Sequence, residues 1–536
     1  MNYIIRILFS IVTVFILAGC MQQHTDRSMK EHAGKEVSAA AKEQITIQSK
    51  EEWMKIDAIK QPSASAITYE LSKSNESFTA PFPRKYQDIN GILTFRAGPF
   101  RNNAYTGSTI IKEESLMNNW AFQTSSSPKW GGGGGWVGQP SVVAWKAKEK
   151  EIMNLYPEYK SKKNFREVVF ASLDGRVYFL DLETGKATRK PIHIKNPIKG
   201  SVALDPRGYP LLYVGQGVPH TGEIGYRIYS LIDGSLLSFI PGEDPYAYRK
   251  WGAFDGSPLI HKEEDAMIIA GENGIVYSIK LNTEYIPSEG KISINPAISK
   301  YRYKQEGNDY QGVENSIAVY KNLAYFADNG GGIQAIDLIK NEPVWANAPY
   351  DDTDATLVVS NEENTPFLYT GSQIDKQGAA GYARIQKING LNGKIEWEKK
   401  LPGFSLLGER PVNGGVLGTP VVGEGALEGQ VIYNISRYKS FNGGLLISFD
   451  TKTGEEKWRW EMDDYSWSST VAVYTENDKA YLVQGDSAGN LYLLNHNGNI
   501  ADKINLGTNI EASPIVIDQS IVIATRGGQL FSIRMK

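Results

Sequence analysis

Residues 444–458 read GLLISFDTKTGEEKW, and the order of residue types in them decides the architecture. An apolar run from Leu445 to Phe449 reaches Asp450, a polar turn at Thr453 and Gly454 follows, and a second run ends on Trp458. That is strand, tight turn, strand. Related segments begin at Gly175, Gly225, Gly274, Gly332, Ala383, Gly443, Gly489 and Gly528. Each follows, by roughly 15–35 residues, a short apolar strand preceded by small residues. Those strands lie at Gln139–Val143, Gly200–Ala203, Gly256–Ile260, Asn315–Ala318, Ala355–Val358, Gly418–Val422, Ser469–Ala472 and Ala512–Val516. Both elements therefore occur eight times. A repeat of roughly 40–60 residues with four strands in each unit predicts the blades of a propeller.

The expected fold is all-β: a single β-propeller of eight four-stranded blades. Its ends predict closure. The last repeat stops at Phe531–Arg534 without an outer strand, and residues 119–123, NWAFQ, ahead of the first inner strand, are able to supply it. Such a strand removes exposed sheet edges. The 53 glycines and 11% aromatic residues suit many short strands joined by tight turns. A net charge of −3 over 536 residues gives no basic field for nucleic acid.

The beginning of the chain gives an address. Arg6 precedes an apolar run from Ile7 to Leu17, too short to span a membrane, and Leu17, Ala18, Gly19 and Cys20 follow. This ending resembles the bacterial lipobox, which implies a signal peptide over residues 1–19 and a diacylglycerol-modified Cys20. Cys20 is the single cysteine, so no disulfide supports the fold. Residues 20–50, polar and without strand pattern, read as a tether, and 51–90 as an N-terminal extension packed loosely on a propeller of residues 91–536. The protein is expected outside the cytoplasm, held to a bacterial membrane by its lipid.

The segment from Asp450 to Trp458 resembles the repeat of the pyrroloquinoline-quinone (PQQ) family, Asp-x-x-Thr-Gly-Lys-x-x-Trp, with partial matches ending at Trp345 and Trp397. In the first blade Arg189 stands where the tryptophan belongs. The resemblance covers the chain from about Gly91 and is nearest to exported bacterial PQQ-like repeat proteins. Features shared with these are Phe95-Arg96, Lys199 to Val202, Trp251 to Pro258, Asp352 to Ala355 and Thr525 to Gly528. It implies that Trp345, Trp397 and Trp458 dock each blade on the next. Quinoprotein dehydrogenases and pure scaffolds both use this fold, so the resemblance leaves activity open.

Strand direction predicts a site. Residues just ahead of the inner strands crowd one channel mouth: Gly138, Lys199, Asp255, Glu314, Asp354, Leu417, Ser468 and Glu511. The loops between second and third strands add Asp174, Glu272, Asn273, Asp328, Asn329, Asp486 and Arg526, and Trp130, Trp136, Trp251 and Trp467 lie nearby in sequence. Converging oxygens, from Asp255, Glu314 and Asp354 above all, can hold a hard cation such as calcium. Carboxylates among tryptophans can equally take a cationic group or a sugar. A hydrated funnel with no ligand is the bland alternative. The glycine run 131–135 lacks the Lys-Ser/Thr of a phosphate loop and reads as a flexible or close-packed turn.

Two function classes follow. The first is a surface-anchored, non-catalytic binding or scaffold module for a protein, peptide or glycan. The second is a dehydrogenase using PQQ and calcium. No cysteine after Cys20 is available for a disulfide beneath a quinone or for haem attachment, and the six histidines lack metal-ligand spacing.

Overall fold

Eight antiparallel sheets, each four strands deep, follow one another along the chain in the computed structural model, which describes residues 53–72, 78–409 and 411–536. The signal peptide, Cys20 and the tether fall outside the described residues. Inner strands are Ser141–Val143, Ala203–Leu204, Leu259–His261, Ala318–Tyr320, Val358–Glu362, Val421–Val422, Val471–Tyr474 and Ile515–Ile517. They are short and largely buried, which explains why each is an apolar run without polar alternation. The eighth blade closes as the ends of the sequence require. Leu116–Gln123 pairs antiparallel with Gln529–Met535, setting Trp120 opposite Ser532.

The small residues before each inner strand now have a physical reason. A Cβ on Gly138, Gly200 or Gly256 would lie 2.5, 1.9 or 2.7 Å from a carbonyl oxygen of the next blade, so neighbouring backbones touch there. The Ser and Thr beside them form a girdle. Gln139 N–H donates to Ser201 Oγ (2.8 Å), Ser257 N–H to Ser316 Oγ (2.9 Å) and Ser316 N–H to Thr356 Oγ1 (3.0 Å). Around the ring Thr356, Thr419 and Ser469 donate in the same way to Thr419, Ser469 and Ser513. At these six seams one hydroxyl satisfies a buried amide that no strand ladder reaches, and at the closing seam Ser513 N–H donates to Gly138 O instead.

The outer seams use tryptophan. Trp345 Nε1–H donates to Gly390 O and its ring covers Gly393; Trp397 donates to Thr451 O and covers Gly454; Trp458 covers Gly498. Trp120 does the same across the closing seam, covering Gly185 and donating to Leu182 O (2.9 Å). Only glycine fits under these rings, and each of the four is also left-handed, with φ between 67° and 77°. Arg189 replaces the ring in the first blade. Fully buried, it pairs with Glu167 at 2.7 Å and donates to Leu231 O of the second blade.

The N-terminal extension departs from expectation. Rather than packing loosely, Ile67–Leu71 adds a fifth strand to the third blade against Ala297–Gln305, and Ile67, Phe78, Phe82 and Tyr86 are buried. Its apolar residues are too scattered to announce pairing, because an edge strand covers only one face.

The segment after it matters more. Gly91 and Ile92 pair with the first inner strand, and Leu204 of the second blade donates to Leu93 O. Thr94 Oγ1 donates to Pro258 O in the third, and Val319 and Val359 donate to Pro99 O and Phe100 O from the fourth and fifth. Asn102 and Asn103 accept from Val422 and Ala472 in the sixth and seventh, and Tyr105–Thr106 runs parallel to Val516 and Ile517 in the eighth. Residues 91–106 thus form a strap that visits every inner strand in ring order. It closes the channel, and what remains above it is a cup.

Candidate binding cup at the channel mouth

The floor of the cup is Phe95, and its wall includes Trp136, Lys199, Asp255, Glu314, Asp354 and Thr356 around a cavity of about 40 Å³. The residues just ahead of four consecutive inner strands, from the second blade to the fifth, supply the charges. Lys199 Nζ lies 2.5 Å from Asp255, 3.6 Å from Glu314 and 3.9 Å from Glu272, and all but Glu314 have side chains less than a tenth exposed. The Trp136 ring lies 5.0 Å from the same ammonium. Asn329 donates to Glu314 (3.0 Å), Arg249 donates to Asn329 (2.7 Å), and Gln373 donates to Asp354. Asp255 Oδ2 and Glu272 Oε1 are the oxygens that face the Lys199 ammonium, whereas Asp255 Oδ1 and Asp354 Oδ1 are buried away from it.

Proton affinities follow from this crowding. Burial, reinforced by neighbouring carboxylates, pushes Glu272, Asp352 and Asp354 well above the ordinary carboxyl range. Burial also raises Asp255, against the pull of Lys199. For Glu314 burial acts upward most strongly, but Lys199, hydrogen bonds from Glu272 and Asn329, and Arg249 together outweigh it, and the carboxyl stays below its usual value. Burial would weaken the Lys199 ammonium, yet Asp255, Glu314 and Glu272 hold its pKa well above normal. The cup is therefore a fixed cation among carboxyls, several of which retain protons where free ones lose them.

On the opposite wall Glu511 pairs with Arg526 at 3.7 Å, accepts from Trp136 N–H, and is raised by burial. Arg526 lies 5.6 Å from the Trp136 ring, so this tryptophan lies between the two charged groups. The run is close-packed from Gly132 to Gly135, while Gly131 is open. A Cβ on Gly133 would meet Thr525 O at 2.0 Å, and one on Gly134 would meet Ala512 and Ala524 at 2.8 Å.

Other expected residues lie elsewhere. Asp328 clasps its own loop, accepting from Tyr303 OH (2.8 Å), Asn308 and Gly332 N–H, and burial raises it to about 6. Asp174, Asn273 and Asp486 bind a tyrosine hydroxyl and a turn amide likewise. Trp251 is 38% exposed on the third blade's entry loop, and Trp467 is half-buried 6.4 Å from Tyr465. Asp255, Glu272 and Glu314 bring oxygens within 4.8 Å of one another, whereas Asp354 is not of that group. Sequence reasoning missed Arg249 and Gln373, ordinary loop and strand polars, and the role of the strap as floor.

No known family and no curated protein matches the chain by sequence. Solved structures do match it in fold. A quinohemoprotein alcohol dehydrogenase from Comamonas testosteroni is 12% identical with a TM-score of 0.55, over 83% of this chain and 80% of that one. One from Pseudomonas putida is 12% identical with a TM-score of 0.53, over the same shares. BamB from Moraxella catarrhalis is 15% identical with a TM-score of 0.46, over 78% and 99%. The molecule has the fold of an eight-bladed β-propeller, with a strap-closed acidic cup. Among the described residues no helix is long and apolar enough to cross a membrane.

The cup does not fit the quinone. PQQ is a rigid tricyclic triacid, and the wall it would meet is mostly acidic. Its carboxylates would face Asp255, Glu314 and Asp354, with Lys199 already paired. Calcium fits no better, because Lys199 Nζ already occupies the point between Asp255, Glu314 and Glu272.

Proposed function

We propose that this chain is an exported, lipid-anchored binding module without catalytic activity, which engages a partner with the mouth face of its propeller. The observation that carries the reading is the cup: blind, small and acid-lined, it suits a cationic group and not an anionic quinone. The rim agrees with it. Tyr248, Trp251, Tyr310, Leu407 and Phe441 are exposed on loops that strand direction assigns to the mouth face, and exposed Tyr382 begins a strand at the same face. Exposed aromatics around a polar centre are the composition of a protein or glycan contact surface. The anchor rests on Leu17 to Cys20 alone.

The test has two arms. Metabolic lipid labelling should mark the wild type and not Cys20→Ala; equal labelling of both removes the anchor. Purified protein incubated with PQQ and calcium should retain no near-ultraviolet chromophore and should not reduce dye with alcohols. Retained chromophore with dye reduction would make the chain a quinoprotein dehydrogenase.

A further inference from the structure

The seam between the fourth and fifth blades is built differently from the one after it. Counted back from the residue that opens each outer turn, Asn389 and Asp450, Arg384 and Gln386 of the fifth blade stand where the sixth has Leu445 and Ile447. Thr370 pairs with Gln386 as Tyr433 pairs with Ile447. In the sixth blade Tyr433, Leu445 and Ile447 are buried and pack in one core with Trp397 of the blade before. In the fifth, a short hydroxyl, a guanidinium and an amide replace that aromatic ring and those two aliphatic chains. The same tryptophan-over-glycine lock, Trp345 on Gly393, still joins the sheets, and a cavity of about 190 Å³ lies between them.

The lining of this cavity runs from Ala348 and Ile395, both exposed, to Thr370, which is 1% exposed. Thr370 Oγ1 has no hydrogen-bond partner in the protein, and neither has Asn347 Nδ2 on the facing blade. Buried polar atoms without partners are few in folded proteins, and two on one cavity call for a guest that brings its own donors and acceptors. The charges nearby are already matched. Gln386, 4% exposed, donates to Glu398 (2.8 Å), and Arg384 lies 3.4 Å from the same carboxylate while stacking on the Tyr350 ring at 3.7 Å. Arg384, the cation of this wall, is thus balanced, and a neutral guest suits the cavity better than an ion.

We propose that this seam cavity binds one ring of a neutral saccharide. Sugar hydroxyls both donate and accept, which matches the Thr370 hydroxyl and the Asn347 amide, while the side chains of Gln386 and Arg384 border the same space. An apolar cavity of about 150 Å³ holds a benzene ring, so about 190 Å³ admits a six-membered ring with part of its hydroxyls. The ring enters past Ala348 and Ile395 and meets Thr370 at the buried end. The shared chemistry is a pyranose, free or at the end of a glycan chain. The site is separate from the cup and does not depend on the binding reading above.

The experiment is saturation-transfer NMR and calorimetric titration of the full-length protein with glucose, galactose, mannose and N-acetylglucosamine. Cyclohexanol, a ring of the same size with a single hydroxyl, is the control. The expected result is saturable binding of at least one sugar and none of cyclohexanol. Binding should weaken at least ten-fold in Thr370→Val and persist in Thr370→Ser. The valine variant should unfold at the wild-type temperature or above it, because the hydroxyl it loses has no partner. Arg384→Leu with Gln386→Ile, which copies the sixth blade, should abolish binding. Maltose and N,N′-diacetylchitobiose then separate the two sources: disaccharides that bind at least as well as their monosaccharides favour a chain end, and weaker ones a free sugar. No binding of any sugar, equal binding of cyclohexanol, or sugar binding unchanged in Thr370→Val would each overturn the proposal. So would a clear loss of stability in Thr370→Val, which would make the hydroxyl part of a structural water network.

Discussion

Two sets of buried cations lie within one channel and are held in opposite ways. In the strap, Arg96 donates to Thr470 O and Pro420 O, and Arg101 donates to Ile317 O, Ser257 O and Phe95 O. Both are fully buried, and burial pulls both guanidiniums down to about 9. In the cup above them Lys199 faces carboxylates, and its pKa moves the other way, well above normal. Below, charge meets backbone carbonyls and every contact is local to the fold. Above, charge meets a group of carboxyls, several of which keep their protons. A guanidinium spread over five donors spans several blades, which is what a structural tie needs.

Substitutions that exchange these roles should give unequal effects. Arg101→Ala is expected to cost most, on the order of 3 kcal/mol or more, because three buried carbonyls lose their donor and the strap its hold on two blades. Urea unfolding checks this; a loss under 1 kcal/mol would mean that the strap does not tie the ring. Lys199→Met should cost less, about 1–3 kcal/mol at neutral pH, and its deficit should shrink as pH falls and Asp255 and Glu314 take up protons. A deficit independent of pH would make Lys199 a packing residue. Glu272→Gln should have the smallest effect and the opposite sign at high pH. The folded pKa of Glu272 is raised, so its contribution is fully present below the ordinary carboxyl value and is lost as pH rises through the folded value. The glutamine variant should therefore match the wild type in acid and exceed it in mild alkali, as chemical unfolding across pH would show.

The same contrast sets what was legible in the sequence. Repeats were visible because each blade solves one packing problem: glycine where backbones touch, Ser or Thr for the girdle, tryptophan over a left-handed glycine. Closure was legible because a missing strand and a spare one stood at the two ends. Lys199, Asp255, Glu314 and Asp354 could be placed at one mouth from strand direction alone, since they occupy one position of the repeat. The strap could not be foreseen. Residues 91–106 belong to no repeat, and their partners lie as far along the chain as Asp518. Asp328 misled because a loop carboxylate that clasps its own tyrosine and one that faces the channel look alike in sequence.

The central claim is that the strap and the acids above it leave a cup for a cation and no seat for a quinone. Its most direct measurement is the unfolding temperature of the purified protein alone and with PQQ and calcium together. Ligands that bind only the folded state must raise it. The account predicts no joint shift; a clear rise that needs both PQQ and calcium would contradict it.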